Sequence, residues 1–305
     1  MVAKCVSQTT SFALQFVVMK STRCRISLPF IPRCNFSVRL TLLTLATLGA
    51  VTIATPAQET SRKTEQKPAT AFQFSTLPAL SLGLYDGEMT FRELLKHGDF
   101  GIGTFDALDG ELIISKGKAW RVSADGKVFA VENKATTPFS VVTYFKPEQT
   151  QKVGQPLDYA ALQRCIQPML PTSNVAYAIE ISGTFSRIKV RSVPKQSKPY
   201  RPLAEVVKTQ SVFEWKNVRG TLVGFRFPAY LSGVNLADTH FHFISDDKKQ
   251  GGHLMDCELQ NGQISVQTLR GFEMQLPTAG GSFDSANLAT DQSADLKAAE
   301  HGDGK

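Results

Sequence analysis

Three of the five histidines in this 305-residue chain fall within fourteen residues, at His240, His242 and His253. The first two sit in Thr239-His240-Phe241-His242-Phe243-Ile244-Ser245, and the third follows Gly251-Gly252. A strand turns alternate side chains to opposite faces, so His240 and His242 leave one face while Phe241 and Phe243 enter a core on the other. Three neutral imidazoles converging on one point form the ligand set of a catalytic zinc site, with a fourth position open for substrate or water. The competing reading is three unrelated histidines, at the surface or in the core. The clustering of so scarce a residue favours the metal.

A shared metal constrains the strand pairing. Opposed residues of an antiparallel pair share a face and have a constant index sum, so His253 joins the face of His242 only if that sum is odd. Closing the turn with Ser245 against His253 gives an even sum and turns His253 away. The expectation is therefore Ile244 opposite His253 and His242 opposite Met255, or a bulge within 246–252 with the same effect. His253 would then lie diagonal to His242, roughly 7 Å away between backbones.

The elements that must carry these residues are mostly short strands. Thr90-Phe91-Arg92-Glu93 reads as a capping box opening a short helix, with Gly98 as its C-cap. Turn signals at Asp109-Gly110, Lys116-Gly117 and Asp125-Gly126 separate strands 101–105, 111–115, 118–122 and 128–131, and 139–145 is a further strand. Residues 159–169 and 203–209 read as helices. Segments 175–181 and 185–193 read as a hairpin over Ser182-Gly183-Thr184, and 220–227, 240–245, 253–259 and 264–268 as a second run of strands. The fold class is α+β: mostly antiparallel or mixed β-sheets in two packed subdomains with a few short helices. The body covers 72–280, divided into an N-terminal sheet part (72–170) and a C-terminal metal-binding sheet part (171–280). Residues 281–305 form a polar tail that can reach the site, with a helical turn at 296–300.

Charge argues against one class of partner. The net charge is +7, but residues 1–57 contribute six basic and no acidic side chains, and the remainder carries 28 basic and 27 acidic ones. The body is nearly neutral, which gives no electrostatic case for nucleic acid. The leader reads as an export signal: Arg39 precedes an apolar run, 40–54, and Thr55-Pro56-Ala57 supplies small residues for cleavage. The run is shorter than the ~20 residues that span a bilayer. The expectation is a periplasmic or secreted body with no membrane contact. An uncleaved membrane anchor and an organellar transit peptide are the alternatives, and Met19 is an alternative start. Residues 58–71 read as a disordered linker. Cys5, Cys24 and Cys34 lie in the leader, and Cys165 and Cys257 read as buried thiols.

The longer strings carry a family resemblance. They are Y-A-I-E-I-S-G-T-F (177–185), K-V-R-S-V-P-K-Q (189–196), P-L-A-E-V-V-K (202–208), V-R-G-T-L-V-G-F-R-F-P-A-Y (218–230) and T-H-F-H-F-I-S-D-D-K-K-Q-G-G-H-L-M-D (239–256). The amino half adds H-G-D-F-G-I-G-T-F-D-A-L-D-G-E-L-I (97–113) and T-P-F-S-V-V-T-Y-F (137–145). Over about 75–275 the chain resembles the alpha-acetolactate decarboxylase family. The resemblance implies loss of CO2 from 2-acetolactate (2-hydroxy-2-methyl-3-oxobutanoate) to give acetoin, with Zn2+ on His240, His242 and His253. It places Glu111, Arg191 and Thr104 in the active site, and brings a carboxylate from the family's carboxyl end near the metal, for which Glu300 is the nearest residue. It also implies a small-molecule substrate as partner and a homodimer.

Taken alone, Glu111 is a strand-end carboxylate after an Asp-Gly turn, and Arg191 is one cation of the basic stretch from Lys189 to Arg201. The family register gives them roles. Zinc polarises the ketol and stabilises the enediolate, Arg191 holds the substrate carboxylate, and Glu111 manages the proton delivered to carbon. Two other classes fit parts of the pattern. A non-enzymatic H-x-H sheet module of the DNA-associated type leaves the 94–145 matches unexplained. Another three-histidine zinc enzyme, such as a hydratase or a cupin-like oxygenase, is the second; cupins place a glutamate soon after H-x-H, and Asp246-Asp247 does not keep that spacing.

Overall fold

The computed structural model describes residues 68–289. Its strands are β1 (Thr70–Phe74), β2 (Met89–Thr90), β3 (Phe100–Thr104), β4 (Glu111–Ser115), β5 (Lys118–Val122), β6 (Val128–Ala130), β7 (Thr136–Thr137), β8 (Ser140–Thr143), β9 (Gln149–Val153), β10 (Leu157–Asp158), β11 (Ala176–Ser192), β12 (Ser211–Arg226), β13 (Thr239–Ser245), β14 (Gly251–Leu269) and β15 (Gly271–Gln275). The helices are short: α1 (Leu77–Ser81), α2 (Phe91–Leu94), α3 (Tyr159–Ile166), α4 (Leu203–Val206) and α5 (Ser282–Ser285). This is the mixed-sheet, helix-poor α+β architecture expected from the sequence.

The first sheet has the order β15-β1-β8-β3-β4-β5-β6 and is antiparallel except for β15, which runs parallel to β1. Its turns follow their glycines. Lys116 and Gly117 both have positive φ, 53° and 72°, as a two-residue hairpin between Ser115 and Lys118 demands. The second sheet begins with β9, ahead of the 170/171 division read from the sequence, and β15 returns the chain to the first. In the second sheet β14 pairs with both β11 and β13, so the ladder β11-β12-β13-β14 closes on itself. Phe241, Phe243, Ile188, Val190, Leu222 and Leu254 fill its inside. Its outer face, through Val223, Phe225 and Ile244, packs on Ile102, Ile113, Val122 and Val141 of the first sheet. Each fully buried phenylalanine contributes about 1.5–3 kcal/mol to holding these layers.

Four local expectations are corrected. Segments 253–259 and 264–268 are one strand, β14, and β1 begins at Thr70, inside the stretch 58–71 expected as a disordered linker, with Ala71 buried. No hairpin forms over 182–184: β11 is one strand of 17 residues. Gly183 lies opposite Gly220 on β12 and Gly262 on β14. A Cβ on Gly183 would stand 2.2 Å from the Asn261 carbonyl oxygen. The glycine is there for close backbone approach across three strands, not for a turn. Likewise α2 is capped by Thr90, whose hydroxyl accepts the Glu93 N–H at 3.3 Å, but its C-cap is Leu95. Gly98 instead sits where a Cβ would be 2.6 Å from the Thr143 backbone.

Candidate active site

The histidine-bearing hairpin is closed by a four-residue turn. Lys248 adopts φ 58°, and the Ser245 N–H bonds to the Gln250 carbonyl at 2.8 Å. The Ser245 hydroxyl accepts the N–H groups of Lys249 (3.2 Å) and Gln250 (3.0 Å) and tightens the loop. His242 therefore stands directly opposite His253, Phe243 opposite Gly252, and Ile244 opposite Gly251. The index sum is odd, as convergence requires. The register, however, is two residues tighter than Ile244 against His253 and His242 against Met255, because the sequence does not announce the Ser245 clamp. The irregularity in β14 falls just beyond, at Met255, where its ladder with β11 shifts.

The three rings converge. His240 Nε2 lies 3.1 Å from His242 Nε2 and 2.9 Å from His253 Nδ1, and the three donor atoms all fall within 4.8 Å of one another. Nitrogens held by one tetrahedral zinc at about 2.0–2.1 Å stand roughly 3.3 Å apart, close to these separations. His242 donates its Nδ1–H to the Leu112 carbonyl at 2.7 Å, which leaves the Nε2 lone pair facing the other two rings. His242 and His253 are buried and His240 is half-buried. The donor set fits a divalent metal.

The first sheet supplies the opposite wall. The period of two puts Glu111 on the face of Ile113 and Thr104 on the face of Ile102, both turned to the second sheet. Glu111 Oε2 comes within 3.5 Å of His242 Nε2, at the point where the histidines meet. Thr104 pairs with Glu111 across β3 and β4, and its hydroxyl donates to the Gly110 carbonyl at 2.7 Å. That bond ties down the turn from which Glu111 emerges. Arg191 lies opposite His253 on the β11–β14 ladder, so Arg191, His253 and His242 form one row across three strands. Arg191 is 4% exposed; a guanidinium so buried needs compensating charge or hydrogen bonds. One cavity is lined by all three histidines, Glu111, Arg191 and Thr104.

Sequence reasoning missed the cavity's apolar half. Leu77 and Leu80 of α1, Leu108, Phe139, Val193 and Leu203 line it, and they belong to a buried apolar cluster behind it. It also missed the backbone oxygen of Leu112, which no side-chain pattern reveals. Ala107 and Leu108 both adopt left-handed φ, 57° and 55°, at a cost of about 1–2 kcal/mol each for residues with a Cβ. The His97 ring, just beyond α2, stacks on Phe72 with centroids 3.7 Å apart. Glu300, the 296–300 turn and the leader lie outside the described residues.

The chain is similar to known proteins over most of its length. The family model described as alpha-acetolactate decarboxylase matches residues 71–290. The chain is 43% identical to an alpha-acetolactate decarboxylase of Methanosarcina mazei, covering 75% of this chain and 79% of that one. Identity to the Methylococcus capsulatus protein of the same name is 44%, over 75% and 88%. The crystal structure of alpha-acetolactate decarboxylase from Bacillus subtilis strain 168 superposes with a TM-score of 0.74 at 39% identity, covering 76% of this chain and 99% of that one.

Proposed function

Because the chain belongs to the alpha-acetolactate decarboxylase family and is an enzyme of that class, we propose that it decarboxylates 2-acetolactate to acetoin and CO2 at the cavity between its two sheets. The convergence of His240, His242 and His253 beside buried Glu111 and Arg191 carries this reading. The histidines would hold zinc, which when bound supplies Lewis-acid charge for the electron density that moves onto the substrate's ketone oxygen. Arg191 holds the departing carboxylate through its planar fork and orients the carbon–carbon bond that breaks. That bond's electron pair passes toward the neighbouring ketone and leaves an enediolate. Glu111, protonated, returns a proton to the carbon that lost CO2. Thr104 holds the Glu111 turn through Gly110 and acts as a positioning residue. The apolar half excludes water and receives the substrate's methyl groups.

The acid-free leader supports export of the body, and the family resemblance supports a homodimer and an approach of Glu300 to the metal. The direct test is product analysis. Purified protein given racemic 2-acetolactate yields equal amounts of CO2 and acetoin; absence of acetoin rejects the reading.

A further inference from the structure

We propose that Leu108 is a specificity-determining residue that limits the size of the alkyl group on the substrate carbon bearing the carboxylate. The inference rests on the decarboxylation proposed above and deepens it. Leu108 is 2% exposed and lines the same cavity as the histidines, Glu111 and Arg191. The polar groups stand on strands and address the carboxylate and ketol oxygens, so the alkyl substituents are left for the wall that Leu108 shares with Phe139 and Leu77.

That wall is fixed at Leu108 by its backbone. Ala107 and Leu108 are consecutive left-handed residues, a backbone suited to glycine. The loop is held there from four directions. The Ala107 N–H donates to Tyr85 O at 2.8 Å, Gln196 N–H donates to Ala107 O at 2.8 Å, and Gly110 N–H donates to Leu108 O at 2.9 Å. The Thr104 hydroxyl closes the loop through Gly110. A strained conformation persists where its surroundings over-determine it, and such conformations gather at ligand sites. A leucine at such a backbone position contributes its side chain, and the side chain faces the cavity. Pinned on both sides, it cannot retreat from a longer substituent.

The test compares 2-hydroxy-2-methyl-3-oxobutanoate with its 2-propyl homologue, as a ratio of kcat/KM, in the wild type and in Leu108→Ala, Leu108→Gly and Val206→Ala. Glycine relieves the backbone, so Leu108→Gly reads the side chain even if Leu108→Ala folds poorly. Val206 belongs to the same apolar cluster but does not line the cavity. Both Leu108 variants should raise the propyl-to-methyl ratio at least about tenfold, and Val206→Ala should leave it in place. An unchanged ratio in the Leu108 variants, or an equal shift in Val206→Ala, overturns the proposal. If the wild type decarboxylates neither compound, the reaction is wrong. Leu108 is then judged by calorimetric Kd values for unreactive 2-hydroxy-2-methyl and 2-hydroxy-2-propyl acids, where the same shift is expected and its absence overturns the assignment.

Discussion

His242 faces His253 directly across the β13–β14 ladder, and the residue that permits it is Gly252, at φ 146° with the Arg191 carbonyl 2.5 Å from where a Cβ would be. The glycine lets β14 pass from β13 to β11 within one residue. Gly252→Ala should therefore move His253 and weaken metal binding about tenfold or more, the scale on which loss of supporting structure around a metal ligand is felt. Competition with a chelator measures it; wild-type affinity in that variant would mean the close approach is idle.

Arg191→Lys should keep the metal and lose most activity, because an ammonium keeps the charge but not the two-pronged fork. Steady-state kinetics together with metal analysis decide this. An activity loss below about threefold, or loss of the metal, removes Arg191 from the role of carboxylate clamp.

Glu111→Gln should likewise retain the metal while turnover falls by about 10²–10⁴-fold, since an amide has no acidic proton to deliver to carbon. Normal turnover there would reassign proton delivery.

The two body cysteines should react very differently. Burial pushes the Cys257 thiol up to about 12, leaving on the order of one part in 10⁴ as thiolate at pH 8. Cys165 is half-buried, with Gln151 Nε2 donating to its sulfur at 3.1 Å. Peptide mapping after alkylation of the native protein should find label on Cys165 and none on Cys257; equal labelling would show that β14 opens at Cys257.

The histidine face was legible because a period of two needs only the residue types in H-F-H-F, and the buried Phe241 and Phe243 follow it. The turns at Lys116-Gly117 and Gly126 were legible because left-handed backbone selects glycine. Gly183 and Gly98 misled for the complementary reason: a glycine needed for close approach looks the same in sequence as one needed for a turn. The exact histidine register was hidden in the Ser245 side-chain bonds. The apolar wall was hidden because α1, the Leu108 loop and Phe139 meet only through long-range packing. β15 escaped notice because its parallel partner β1 lies some two hundred residues earlier.

The measurement closest to the central claim is titration of metal-stripped protein with zinc, following bound zinc per chain and acetoin released from 2-acetolactate. One zinc per chain should restore activity in step with occupancy, and His240→Ala, His242→Ala and His253→Ala should each bind zinc far more weakly and stay inactive. Full activity in the metal-stripped protein, or undiminished zinc binding in all three variants, would contradict the account.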